Sequence, residues 1–429
     1  MTVEGWELKQ LDEIGAICSG STPSTTNPGY WDGDIIWVTP NDLSKLNTPY
    51  LKTSNKKITQ QGLKSCSAQM IPAGSIILSS RAPIGYVAIA TTECCTNQGC
   101  KSFNLKQEYN SEFVYYNLNF NVDKIKNLGE GTTFAEISKT ALAKVKIPFL
   151  ENKEEQIQIA AILSTTDRAI EQTEAIIAKQ QRIKTGLMQD LLTKGIDEDG
   201  NVRSEATHKF NDSPLGKVPA EYEVKILDHC VKSDAPICYG ILMPGTGHDN
   251  GVPVIKVKDI YGGMIHPRHL LLTDPKIDSQ YKRSKLHEGD ILLTIRGTTG
   301  RLALVPTDLK GANITQDTAR IRLKEEHSNQ YFYFLLQSKT VQDQVLLHTL
   351  GQAVKGINIS EVKKICFALP MKNEQLLIAN RLNELESFIS STMEQLNKFY
   401  SLKTGLMQDL LTGNVRVTAL LNEQETANI

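Results

Sequence analysis

The chain has 429 residues, 40% of them hydrophobic and 22% charged, with a formal net charge of −1. That length is too great for one ordinary core and predicts two to four domains. The composition is that of a globular chain, no run approaches the ~18 apolar residues of a membrane span, and the near-zero charge gives no whole-chain sign of a nucleic-acid partner.

The opening MTVEGWELKQ has neither a basic start nor an apolar stretch, so no secretory signal is expected. Residues 1–150 read as a mixed domain, with strands at DIIWVT (34–39), GSIILSS (74–80) and YVAIA (86–90), and a helix around YYNLN (115–119). TNPGY (26–30) resembles an Asn-Pro-Pro-aromatic adenine-holding turn, but it lacks the second proline and reads as a plain turn. Cys94, Cys95 and Cys100 lie close together without zinc-ligand spacing. With no CxxC pair among its eight cysteines, the chain fits reduced thiols in a cytoplasmic protein.

Residues 151–196 change character. Leu163, Thr166, Ile170, Thr173, Ile177, Gln180, Lys184, Leu187 and Leu191 step by three and four, the spacing that keeps one seam of a helix against a partner. Residues 197–221 are polar and rich in turn formers, and read as a connector. Residues 222–370 are mixed again, with strands at DILLTI (290–295) and LALVP (302–306) and one helical stretch over YFYFLLQSKTVQDQVLLHTL (331–350). HPRH (266–269) reads as a surface loop, and DPK (274–276) is only a weak echo of a nuclease carboxylate cluster. Residues 371–413 return to the heptad pattern through Leu382, Leu385, Ile389, Thr392, Leu396, Phe399, Lys403, Leu406 and Leu410, and 414–429 form a tail.

The chain is one plan written twice. KTGLMQDLLT stands at 184–193 and again at 403–412. WELKQLD (6–12) matches YEVKILD (222–228), and GSIILSSRAPIGYVAI (74–89) matches GDILLTIRGTTGRLAL (289–304). Gly129, Ile137, Ser138 and Pro148 line up with Gly351, Ile359, Ser360 and Pro370. The charge divides along the same lines. Residues 1–150 carry 14 basic and 13 acidic side chains and 201–370 carry 22 and 18, whereas 151–200 carry 6 and 10 and 371–429 carry 5 and 7. The matched heptads favour pairing of the two long helices with each other, and leave a parallel or an antiparallel pair open.

Catalytic signatures do not emerge. The chain lacks a GxxxxGK[ST] phosphate loop, a GxGxxG after a strand and a G-x-S-x-G elbow. The residues alone describe a binding and scaffolding protein.

GWELKQL (5–11), SGSTPS (19–24), YWDGDIIWVTPNDL (30–43), FNDSPLGKVP (210–219), KTGLMQDLLTKG (184–195) and KTGLMQDLLTGNVRV (403–417) together resemble the specificity subunit of Type I restriction–modification systems. The resemblance covers the whole chain. One departure is YGILMP (239–244), which stands where the first copy has its STPS stretch and marks the second domain as a different subtype. The resemblance implies an α+β fold: two tandem α/β target-recognition domains joined by two long helices in an antiparallel coiled coil, with pseudo-two-fold symmetry. It implies a non-catalytic subunit that reads double-stranded DNA and binds two methyltransferase subunits and the restriction/motor subunits. S-adenosylmethionine, ATP and magnesium would belong to those partners, with no cofactor or metal held by this chain. A helix of 35–40 residues is roughly 50–60 Å long and a turn of DNA about 34 Å, so a split, asymmetric target is expected.

Candidate DNA contacts are the matched Arg81 and Arg296 at strand ends, Asn41 and Lys258, and Gln98 and Gln316. Thr132, Thr133 and Lys355 in the loops GEGTT (129–133) and GQAVK (351–355), together with Arg301, complete the set. A guanidinium suits guanine or phosphate and an amide suits adenine; equally, residues shared by two copies serve to hold a fold. Two other readings stay open: a repeat adaptor holding two proteins without DNA, and a self-contained DNA methyltransferase, which the missing cofactor loop disfavours.

Overall fold

A computed structural model describes residues 4–81, 83–129, 136–349, 351 and 355–418. Thr132 and Thr133 lie outside the described residues. The chain divides into two compact units, Met1–Glu174 with Glu394–Ile429, and Ala175–Met393. Among the described residues no helix is long and apolar enough to cross a membrane.

In the first unit a five-stranded sheet runs in the order Gly15–Ser19, Cys100–Leu105, Ile76–Ser79, Val87–Ala90, Tyr50–Leu51. Its central strand is buried on both faces, which is why GSIILSS reads as a continuous apolar run rather than an alternating one. Ile76 and Leu78 join one core with Phe103 and Phe113, and Ile77 joins a second with Val38 and Ala88. A smaller sheet sets Trp31–Val38 antiparallel to Lys56–Ile58 and parallel to Cys95–Thr96. Trp6–Gln10 pairs with Lys146–Leu150, so the start of the domain is tied to its last strand, directly before the first long helix, Lys153–Thr193.

The second unit repeats this plan. Its four-stranded sheet orders Cys238–Tyr239, Thr318–Ile321, Ile291–Thr294 and Leu302–Leu304. The hairpin registers correspond: Ile76 faces Ile89, and Ile291 faces Leu304. The parallel pair recurs as Val254 beside Asn313. Glu223–Ile226 pairs with Cys366–Leu369 just before the second long helix, Lys372–Leu411.

Two sequence expectations need correction. The expected helix over 331–350 is two helices, Asn329–Gln337 and Lys339–Leu347. Ser338 breaks it by turning extended, and its hydroxyl accepts a hydrogen bond from Val341 N–H to cap the second helix. The alignment near the end of each domain also slips by two residues. Ile137 N–H donates to Ser80 O at 2.8 Å and Ile357 N–H to Ile295 O at 2.9 Å, so Ile137 matches Ile357 rather than Ile359. Likewise Leu8 faces Pro148 where Val224 faces Ala368, so Pro370 is not the counterpart of Pro148. A chance Ile-Ser sets the false register: at 359–360 it opens the helix Ile359–Lys364, whereas at 137–138 it precedes the helix Lys139–Ala143.

Within each unit one long helix runs antiparallel to the other. In the first unit Asp167 pairs with Lys403 at 2.6 Å and Glu174 accepts from the Tyr400 hydroxyl: as one helix advances, its partner recedes. In the second unit Lys184 pairs with Glu386, and further along the first helix Leu191 and Leu192 pack with Ile378, Ala379 and Leu382, in the same sense. The seam positions are buried or half-buried throughout. Leu163, Ile170, Ile177, Leu191, Leu382, Ile389 and Leu410 are buried, and Leu187, Leu385, Leu396, Phe399 and Leu406 are half-buried. Thr166, Thr173 and Thr392 also sit in the seam; each hydroxyl donates to the carbonyl four residues back, so no polar group is stranded.

The root of each long helix carries a duplicated Glu-Gln pair. Glu155, fully buried, takes the Arg416 guanidinium on both oxygens at 2.8 and 3.0 Å. Glu374 takes Arg203 Nη2 at 3.0 Å, Tyr222 Oη at 2.6 Å and Ile196 N–H at 2.9 Å. Both arginines end a GNVR that follows the doubled decapeptide, at 200–203 and 413–416. The glutamines hold the recognition side. Gln156 accepts from Asn110 N–H and donates to Leu150 O, both at 2.8 Å. Gln375 accepts from Ser328 N–H at 3.0 Å and donates to Pro370 O at 2.9 Å. The connector holds a feature its composition hid, a hairpin of Phe210–Ser213 with Gly216–Pro219.

Candidate nucleic-acid interface

Arg81 and Arg296 follow the central strands of the two main sheets and are held by the same main-chain contacts. Arg81 N–H donates to Gly99 O, and Arg296 N–H to Asp317 O, each at 3.2 Å. A single bridge then joins Arg81 to Glu136 and Arg296 to Gly356. This backbone identity makes Gln98 and Gln316 true counterparts, one residue before those acceptors.

The side chains around the two corners differ. Arg81 Nη2 lies 2.8 Å from Glu136, whose other oxygen is 3.8 Å from the Lys101 ammonium. Lys101 is 4% exposed; burial lowers its pKa from the ordinary value, and the Glu136 carboxylate acts in the opposite direction. Lys101 also donates to Gln98 O at 3.3 Å, and Gln98 Oε1 accepts from the Thr22 hydroxyl. In the second unit the place of Glu136 is taken by Gly356 and that of Lys101 by Ala319, which faces Leu293 as Lys101 faces Leu78. Arg296 Nη1 instead donates to Gln316 Oε1 at 3.3 Å, on the wall of a cavity of about 430 Å³. Tyr239, Gln280, Arg283 and Asn358 also line it.

The remaining candidates separate. Asn41 and Lys258 are both exposed on one-turn helices with the same cap: Asp42 accepts from Thr39 N–H at 2.8 Å, and Asp259 from Lys256 N–H at 2.9 Å. Lys256 and Lys258 line a second cleft, of about 480 Å³, with His248 and His269. His269 holds φ +70, a conformation uncommon for a side-chain-bearing residue. The first unit has Thr39 and Asn41 in place of those lysines. Arg301 faces inward: its guanidinium donates to Ile260 O at 3.0 Å and so braces the hairpin Ile260–Tyr261/Met264–Ile265. Lys355 is exposed, and its carbonyl accepts from Gly297 N–H beside Arg296. The sequence reading missed Glu136, Lys101 and Gly356, because their meaning lies in what faces each arginine across the chain.

A domain of one α+β plan built twice, each copy offering cations and amides at strand ends and each rooted on a long helix, defines a duplicated recognition scaffold. A family model described as "Type I restriction modification DNA specificity domain" matches residues 3–180 and 248–398, and the chain belongs to that family. It is a specificity subunit of a Type I restriction–modification system, a non-catalytic component of that complex. The chain is 28% identical over 425 residues to the Type I restriction enzyme MjaIX specificity subunit of Methanocaldococcus jannaschii, covering 97% of this chain and 94% of that one. It is 28% identical over 318 residues to the EcoBI specificity subunit of Escherichia coli, covering 73% and 66%. Its fold is similar to the crystal structure of a Type I system S subunit from M. genitalium, with a TM-score of 0.58 at 16% identity, covering 96% of this chain and 99% of that one. A chain from a study of complex assembly and conformational transition of the type I R-M system gives a TM-score of 0.57, also at 16% identity, covering 97% and 100%.

Proposed function

We propose that residues 1–150 and 222–370 are two target-recognition domains, each reading one half of a split, asymmetric double-stranded DNA site. Residues 151–196 and 371–413 are the helical scaffold that holds two adenine-methyltransferase subunits and the restriction/motor subunits, in the cytoplasm. S-adenosylmethionine, ATP and magnesium act in those partners.

The observation that carries this reading is the strand-end corner built twice on the same backbone, with unlike side chains around Arg81 and Arg296. Two equal frames with unequal chemistry suit two different half-sites. Arg81, Arg296, Gln98, Gln316, Asn41 and Lys258 are the proposed contacts, and Lys355 lies near enough to Arg296 to join them. Thr132 and Thr133 are proposed from sequence alone. Arg301 is better suited to bracing its hairpin than to touching DNA. Long-read methylation mapping in cells that express this chain with its methyltransferase tests the reading. The expected result is one split, asymmetric, adenine-methylated motif; an active complex without one overturns it.

A further inference from the structure

The cavity beside Arg296 has the chemistry of a seat for a base. We propose that it recognises the O6/N7 edge of a guanine in the half-site read by the second unit, with Arg296 as the specificity-determining residue. This rests on the DNA-reading function above.

Three observations carry it. The corner is opened by substitution, since glycine and alanine stand where the first unit has Glu136 and Lys101. The Arg296 guanidinium is therefore spared the carboxylate that engages Arg81; its side-chain partner among the described residues is the neutral Gln316 amide, at the long distance of 3.3 Å. The backbone is fixed before any ligand arrives: Arg296 N–H and Gly297 N–H donate to Asp317 O and Lys355 O, and Gly297 holds φ +74. Arg296 is thus presented by a frame, not by a mobile loop tip.

The lining selects the ligand. Gln316 offers its oxygen to Arg296, which leaves its amide N–H groups to donate. Guanine presents two acceptors, O6 and N7, to such donors, whereas adenine places its N6 amino group against them. Tyr239 and Leu242 are each about half exposed and add apolar surface at the rim. Gln280 and Asn358 add neutral polar groups that suit a heterocycle, and Arg283 on the same wall adds a second cation.

The test uses the full chain in complex with its methyltransferase subunits, on a duplex carrying the mapped motif. Each guanine in the half assigned to residues 222–370 is replaced in turn by 7-deazaguanine, which lacks the N7 acceptor. One replacement is expected to weaken wild-type binding about 10-fold, and R296A to do the same on the natural duplex. Combined, the two should cost no more than either alone. R296K, which keeps the charge without the fork, should behave as R296A does, and G356E, which restores the carboxylate of the first unit, should also weaken that half-site. Additive losses, a half-site without guanine, or R296A weakening every sequence equally while R296K does not (a phosphate contact) would each overturn the proposal. A complex that methylates without any split motif sinks the underlying function as well. A split motif with additive losses sinks the guanine seat alone.

Discussion

The two arginine corners share a backbone and differ in what holds the guanidinium. In the first unit a guanidinium and a buried ammonium share one carboxylate; in the second a guanidinium faces an amide and an open cavity. The helix roots show the opposite behaviour: Glu155 with Arg416 and Glu374 with Arg203 repeat the same pair down to the doubled GNVR. Duplication has held at the ion pairs of the helix roots and has drifted at the corners, where even the buried Lys101 is replaced by Ala319. A position is therefore constrained by the number of protein groups that depend on it.

Substitutions at both kinds of site test that contrast. The largest effect is expected at the roots, where removing one member of a buried pair costs roughly 3–5 kcal/mol. E155A and E374A should each lower the chemical-denaturation midpoint strongly, and a large effect at one root with none at the other would break the equivalence. Leucines matched in the seam come next: L163A and L382A, both fully buried, should each lose about 2–5 kcal/mol by denaturant titration. R81A and R296A should leave stability nearly unchanged and each reduce methylation about 10-fold through its own half-site, as expected for loss of one bidentate base contact. The sharpest form is an inequality, because Arg81 must first leave Glu136; E136Q should therefore raise affinity for the first half-site at low salt. Smallest is K258Q, which should lower the slope of log affinity against log salt by about 1, while N41Q, its counterpart in the first unit, leaves the slope unchanged.

Much of this architecture was legible in the sequence. The doubled decapeptide, the heptads and the repeated strand–arginine stretch are strong signals because each rests on period or identity. The antiparallel sense of the helices was not readable, since a heptad seam serves either direction; it becomes visible only when, within one unit, Asp167 meets Lys403 and Glu174 meets Tyr400. Glu-Gln at 155–156 and 374–375 and GNVR at 200–203 and 413–416 were present as repeats and went unread, because their partners lie on the other helix. The slip at Ile359 shows the converse hazard: two short residues agreed by chance where hydrogen bonding to Ser80 and Ile295 places the match at Ile357. At the corners the sequence located both arginines, and what faces them depended on tertiary neighbours that no local pattern encodes.

Gln156 and Gln375 have a consequence for how such a protein changes over time. Each reaches across to the recognition side and hydrogen-bonds main-chain groups there: Asn110 N–H and Leu150 O in one case, Ser328 N–H and Pro370 O in the other. These bonds are indifferent to the side chains of the domain, whereas the core beside them is not: Ile159, Ala160 and Leu163 pack with Phe113 and Phe149, and Ile378, Ala379 and Leu382 with Phe332 and Phe367. A new recognition surface fitted at these roots therefore has to keep the shape of that core while its distant loops are free to change.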